Sequence, residues 1–463
     1  MRQYYLSGLG LFTSTLLILP QMSEAGGTPW PPPLPGAKDG TVTITSDLFL
    51  KIPTNVLAET GQPGTAPFIV AKTAPTIDLA YHAPLPDAAL NGTGWSAWGD
   101  IAVAADGRVY CGLGDHGNEI GQTSRAYIYQ WDPATKTLKQ IVDVNSIVKR
   151  KHGEPTWSKI HARVDVGSDS NVYFSGTLND GNRAGDPSYK WSKKIPGGQL
   201  YQYNPRTGKS VVFANLPPAR CTATALIDKQ HDVWWCNLEA GPNALYALDM
   251  KTKKPLYKAP DGSVLFNRSF ALARDGAVYF NGSNGIWKCD ARAGTITPTG
   301  TSLGSNIAMR CSTTETKDGW IYGVAYPGGE LFRYAPAANK LEMLGPGFMK
   351  GEYTTVCILS PDERFVYFLP GAHGGAYTYG TPVVQYTIAT GQRKVIAFMR
   401  DVFETQYQYV PAGTYGITIS ADGSTLFANL NGHAAEALRL KGMPCNGFGC
   451  TAFAAIHIPA SER

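Results

Sequence analysis

The 463-residue chain is 43% hydrophobic, 11% aromatic and 17% charged, with 51 Gly, 32 Pro and a net charge of +5. Its charge fraction lies below the roughly 25% of an average globular protein, which excludes a charge-driven disordered chain, and the mild, dispersed positive balance gives no footprint for nucleic acid. Frequent Gly and Pro without a collagen-like period, together with many Tyr, Phe and Trp, point to a turn-rich all-β protein rather than a helical bundle.

In chain order, residues 1–25 read as a signal peptide. Arg2 is the positive start, Leu6 to Pro20 form an apolar stretch, and Ser23-Glu24-Ala25 precedes a cleavage point at Gly26. The Pro/Gly-rich linker 26–39 cannot continue a helix. Residues 40–463 remain as a single domain, with no later segment that reads as a membrane span. The expected location is secreted or periplasmic, with the protein a monomer. Export makes disulfides expected among the eight cysteines. Cys445 and Cys450 bracket a short loop, and Cys221 and Cys236 flank a predicted hairpin across which they would face each other. Cys111, Cys289, Cys311 and Cys357 have no local partner and read as buried thiols.

A short strand ending in an aromatic residue recurs seven times, anchored at Tyr110, Tyr173, Trp234, Tyr279, Tyr322, Tyr367 and Phe427, with separations of 63, 61, 45, 43, 45 and 60. Turns such as Asp106-Gly107, Asp275-Gly276, Asp318-Gly319 and Asp422-Gly423 precede anchors, and each turn follows an apolar strand. A third strand with its own turn comes downstream. This pattern predicts a seven-bladed β-propeller of four-stranded blades. The seventh copy lacks a fourth strand, so an N-terminal segment near 77–83 is expected to supply it and close the ring. An open ring would leave an unpaired sheet edge.

In a propeller the start of each innermost strand and the loop joining the second and third strands open on one face. That loop is long in repeats one, two and six, and repeat seven carries a long insertion. Function is expected on that rim. The predicted funnel gathers His116, His161, His373 and His433, with Arg163, Arg183, Arg220, Arg268 and Arg310. Its aromatic lining is Trp98, Tyr353, Tyr377, Tyr379 and Tyr415.

Such a set suits a carboxylated sugar. Arg binds a carboxylate in a forked geometry. Neutralising a uronate acidifies its C5 proton, which a His or an ionised Tyr can remove while a Tyr protonates the leaving oxygen. The predicted catalytic residues are His116 or His161 as base, Arg220 or Arg268 as neutraliser, and Tyr353, Tyr377 or Tyr415 as acid. Trp98, Arg163, Arg183, Arg310, His373, Tyr377, Tyr379 and His433 are predicted to bind substrate. The partner is an anionic, uronate-containing polysaccharide, cleaved by β-elimination, and this reading requires no cofactor.

Three alternatives stand beside it. A propeller could bind glycan or protein on the same face without catalysis. Two or three of the four rim histidines could hold a divalent metal, although no HxH or HExxH spacing supports this. Glycoside hydrolysis would need two carboxyl groups from Asp100, Asp115, Glu119, Asp180 and Glu352. His161, Arg163 and Asp165 alternate along one strand and so share a face, where they could instead form a charge-compensated link between blades.

VYFLPGAHGGAYTYGTPVVQYTIATGQRKVIAF, followed by GTYGITISADGSTLFANL and the closing IHIPASER, resembles a family of secreted bacterial propeller proteins common in planctomycete-type genomes. The resemblance implies the fold and export, and it suggests that the PGAHGG loop and the GTYG strand start share one site. More distantly, the architecture resembles the seven-bladed propeller polysaccharide lyases such as ulvan lyases, which implies chemistry by His, Tyr and Arg near the funnel without assigning residues.

Overall fold

The computed structural model describes residues 31, 33–83, 85, 95–117, 119, 121–151, 154–178, 197–434 and 448–463. Seven antiparallel sheets form a ring, the β-propeller that the repeats predict. The predicted signal peptide lies outside the described residues, as do Arg183, Asp180 and Cys445. Among the described residues no helix is long and apolar enough to cross a membrane.

Blades 1 to 5 follow chain order outward from the axis. Blade 1 runs Ala102–Val103, Val109–Gly114, Ala126–Asp132 and Thr137–Asp143, and blade 3 runs Cys221–Asp228, Val233–Glu239, Ala244–Asp249 and Lys254–Lys258. First strands of neighbouring blades touch all round the ring. All seven aromatic anchors fall on second strands. Those strands are buried nearly throughout because a neighbouring blade covers each face, whereas outer strands such as Lys254–Lys258 are largely exposed. Seven apolar clusters fill the seven gaps between blades; one joins blades 2 and 3 through Tyr173, Leu200, Trp234 and Tyr246. Trp234 is 1% exposed, so truncation to Ala should cost about 3–5 kcal/mol.

Thr76–Tyr81 closes the ring as expected, pairing antiparallel with Cys450–His457 in blade 7. Thr41–Thr45 then adds a fifth strand outside it, and Phe68–Val70 runs parallel to Arg393–Phe398 at the edge of blade 6. Both extra strands cover edges that would otherwise be open. At the axis, blades 7 and 1 meet at Gly416. A Cβ there would sit 2.7 Å from the Gly99 carbonyl oxygen and 2.8 Å from Ile101 Cγ2, so the close approach requires glycine.

The expectation that Cys221 and Cys236 face each other is corrected by the register. Cys221 pairs with Glu239, and Cys236 pairs with Ala225. These two, like Cys111, Cys289, Cys311 and Cys357, are buried thiols.

Candidate functional site

The first strands enclose a central channel of ≈ 380 Å³, lined in part by Trp98, Asp100, His161, Arg268, Arg310 and Tyr415. Arg268, Arg310 and Tyr415 lie on the innermost strands of blades 4, 5 and 7, while Trp98, Asp100 and His161 lie on the segments that lead into the innermost strands of blades 1 and 2.

Trp98 is the hub. Its ring centroid lies 5.6 Å from His116, 5.9 Å from His161, 5.6 Å from His373, 4.9 Å from Tyr415 and 5.1 Å from Phe448. Lys159 Nζ stands 4.5 Å from the same ring. His116 Nε2 accepts the Trp98 indole N–H at 2.7 Å and lies 2.5 Å from Ser96 Oγ. His161 Nδ1 donates to the Ala223 carbonyl at 2.7 Å, which leaves Nε2 as an acceptor, and Arg268 Nη1 donates to it. Burial, reinforced by Arg268 and Lys159, holds the His161 pKa well below its ordinary value, so the ring is neutral.

His373 differs from the other two imidazoles around Trp98. It is exposed, with no hydrogen-bond partner for its ring among the described residues. Its backbone is left-handed at φ 62°, between Gly371 and Gly374 that are also at positive φ. This turn delivers the ring against Tyr353 (5.0 Å) and Tyr415 (5.4 Å). Lost hydration, then the charges of Arg310, Arg268 and Lys159, lower its pKa to about 4.

Arg310 is 4% exposed. Its Nε donates to the Tyr353 hydroxyl at 2.6 Å, and its Nη1 reaches the Arg268 and Thr355 carbonyls at 3.3 Å. Among the described residues neither Arg268 nor Arg310 has a carboxylate partner. Both guanidinium groups therefore act on His161 and His373, and neither is paired with a carboxylate among the described residues. Tyr415 is buried with its hydroxyl unpaired, and burial pushes its pKa up.

Other predicted residues are placed differently. Arg163 pairs with Asp100 at 3.3 Å and Asp165 at 3.5 Å, while these carboxylates also accept the Ile417 and Ile227 amides. That is the compensated link between blades. Burial nonetheless raises the Asp100 pKa to about 6, against the pull of Arg163. Arg220 is committed to the Glu239 and Pro242 carbonyls and to Asp261 at 3.1 Å, on blade 3. Tyr377 and His433 lie together at 5.8 Å, with Arg400 against Tyr377. The Tyr379 hydroxyl donates to Glu59 at 2.9 Å, on the short helix Thr54–Glu59.

Of the carboxyl groups considered for hydrolysis, Asp115 is paired with Arg125 at 2.7 Å and Glu119 accepts from Ser158. Among the described residues no group of three His, Cys, Asp or Glu is arranged to hold a metal ion. Sequence reasoning passed over Lys159, Ser96 and Phe448. Lys159 was legible as a cation two residues before His161; the other two carry no signal short of the folded loops.

The sequence matches no protein-family model, and no curated protein matches it. Two structures of the extracellular domain of BT4673 from B. thetaiotaomicron, described as a one-component and a hybrid two-component system, are similar at 13% identity with TM-scores of 0.48 and 0.47. The similarity covers 78% of this chain and 39% of theirs, so this chain spans well under half their length. A chain of the mitotic checkpoint complex is similar at 11% identity over 90% of this chain and 98% of that one, with a TM-score of 0.50. At such identity the likeness concerns the fold alone.

Proposed function

We propose that this is an exported propeller whose channel mouth takes a uronate residue of an anionic polysaccharide and cleaves the chain by β-elimination. The observation that carries the reading is the convergence of Arg268 and Arg310, without carboxylate partners among the described residues, beside an open, neutral His373 and the Tyr353 hydroxyl. The two guanidinium groups would hold and neutralise the sugar carboxylate. His373 would remove the C5 proton. The freed electron pair forms the C4=C5 double bond, the C4–O bond breaks, and the leaving oxygen takes the Tyr353 proton. Arg310 Nε donates to the Tyr353 oxygen, so the phenolic proton is free to be given and the resulting phenolate is stabilised. Without a bound sugar His373 is a weak base because of lost hydration, reinforced by its cationic neighbours. A bound carboxylate offsets those charges and raises its basicity when substrate is present.

A second reading, binding without turnover, draws on His161, whose two ring nitrogens are both engaged. Incubation with a panel of uronate polysaccharides separates the two. The lyase reading expects ultraviolet absorbance from an unsaturated uronyl product. Silence across the panel with retained pull-down by one glycan would establish binding instead, and neither signal would remove the glycan reading.

A further inference from the structure

Six aromatic rings form an unbroken track across the channel mouth. Phe266 and Tyr326 stack at 5.3 Å with their planes 16° apart, Tyr326 meets Tyr353 at 5.4 Å, and Tyr353 meets His373 at 5.0 Å. His373 lies 5.6 Å from Trp98, which stacks on Phe448 at 5.1 Å. The far end has no place in the chemistry proposed above, yet it is built on rigid elements. Phe266 opens the innermost strand of blade 4, Phe266–Leu272, and Tyr326 ends the second strand of blade 5, Ile321–Tyr326. The antiparallel register sets Tyr326 opposite Ala308, two residues from Arg310, and Asn281 exchanges hydrogen bonds with both main-chain groups of Met309 to tie the two blades together there.

A near-parallel pair of rings is an unusual use of surface. Tyr326 is 38% exposed and Leu265, which precedes Phe266, is 62% exposed, so this end is apolar and open, while the Arg310 end is cationic. A sugar ring has apolar C–H faces that lie flat on an aromatic platform, and its hydroxyls stay in water. We infer that Phe266 and Tyr326 form a distal sugar subsite, so that the mouth accepts an extended stretch of polysaccharide rather than a single terminal sugar. The occupant is a further residue of the same chain whose carboxylate sits at Arg268 and Arg310, and the inference thus rests on the proposed glycan reading. Contact continuity argues for one ligand: each ring of the track touches the next, and Tyr353 belongs both to the platform edge and to the Arg310 hydrogen bond.

The test is calorimetric titration of the intact protein with uronate oligosaccharides from one to six sugars long. Affinity is expected to rise with length until the platform is filled. Tyr326→Ala and Phe266→Ala should each weaken the longer oligomers about tenfold and leave the shortest binding oligomer unchanged. Tyr326→Phe should keep wild-type affinity, since stacking does not need the hydroxyl, and it guards against a folding artefact. Equal affinity at all lengths, or Ala variants that bind every oligomer as the wild type does, would overturn the subsite and leave the carboxylate site standing. Neutral oligosaccharides bound tightly and in a Tyr326-dependent way, with uronates ignored, would keep the platform and overturn the uronate reading. No binding by either class would overturn both.

Discussion

Arg310 Nε donates a 2.6 Å hydrogen bond to the Tyr353 hydroxyl, and its guanidinium carbon lies 5.2 Å from the centroid of the same ring. This side chain fixes the orientation of a phenol, and in the proposed site it would also offer charge to a ligand. If Tyr353 is the acid, Tyr353→Phe should lower kcat by about 10²–10⁴-fold with little change in KM. Arg310→Gln, which removes the cation, should raise KM as well as lower kcat. Steady-state kinetics on a cleaved uronate polymer read the difference.

The pH response of His373 follows from its lowered pKa. With a value of about 4 in the empty site, the imidazole loses its base function only when pH falls through that value. The acid limb of kcat/KM, which reports the free enzyme, is therefore expected near pH 4. In Arg310→Gln the strongest of the depressing charges is gone, and the limb should move upward, though burial keeps it below the ordinary histidine range. The limb of kcat, which reports the complex, should lie above that of kcat/KM in the wild type because the bound carboxylate raises the His373 pKa.

Glu352, beside Tyr353 in sequence, is expected to make stability depend on pH. It is buried with Oε1 unpaired, and burial raises its pKa from 4.5 to about 8, with Glu59 adding to the rise. Between those values the unfolded chain has lost the proton and the folded chain retains it, so the unfolded state binds fewer protons and stability falls as pH rises. Thermal melts should show that decline from about pH 4.5 to 8. Glu352→Gln should flatten the profile and raise Tm at pH 7.5.

Ring closure has its own titration. Asp78, on the closing strand, meets His457 Nε2 at 2.7 Å and Lys136 Nζ at 2.8 Å, and it also accepts from Thr43 on the outer added strand. Although burial opposes ionisation, these partners bring its pKa from 3.8 down to about 2. The contribution, about 2 kcal/mol, is fully present above pH 3.8 and is lost as pH falls through 2. Asp78→Asn should lower Tm at neutral pH and remove this component of acid unfolding.

The fold was legible because each blade repeats a local pattern. A tight turn, Asp-Gly in four of the seven blades, is followed by an aromatic on the strand that both neighbouring blades bury, as at Asp275-Gly276 and Tyr279. Thr76–Tyr81 could be anticipated because blade 7 ran out of strands, whereas Thr41–Thr45 and Phe68–Val70 cover edges and obey no repeat. At the channel, His161, Arg268, Arg310 and Tyr415 are among the lining residues. Arg220 was misplaced: it lies seven residues before Ile227, which pairs with its anchor Trp234, whereas Arg268 lies three before Ala271, which pairs with Tyr279, so Arg220 stands above the strand and is engaged by Asp261 and two carbonyls. Periodicity specifies where a side chain starts, and the loops decide what it meets.

The most direct test of the carboxylate site compares one uronate polysaccharide with its carboxyl-reduced, neutral counterpart in binding to wild-type protein and to Arg310→Gln. The account predicts that the wild type binds the uronate form at least about tenfold more tightly, and that Arg310→Gln loses most of that preference. Equal affinity of the wild type for the two polymers would contradict it.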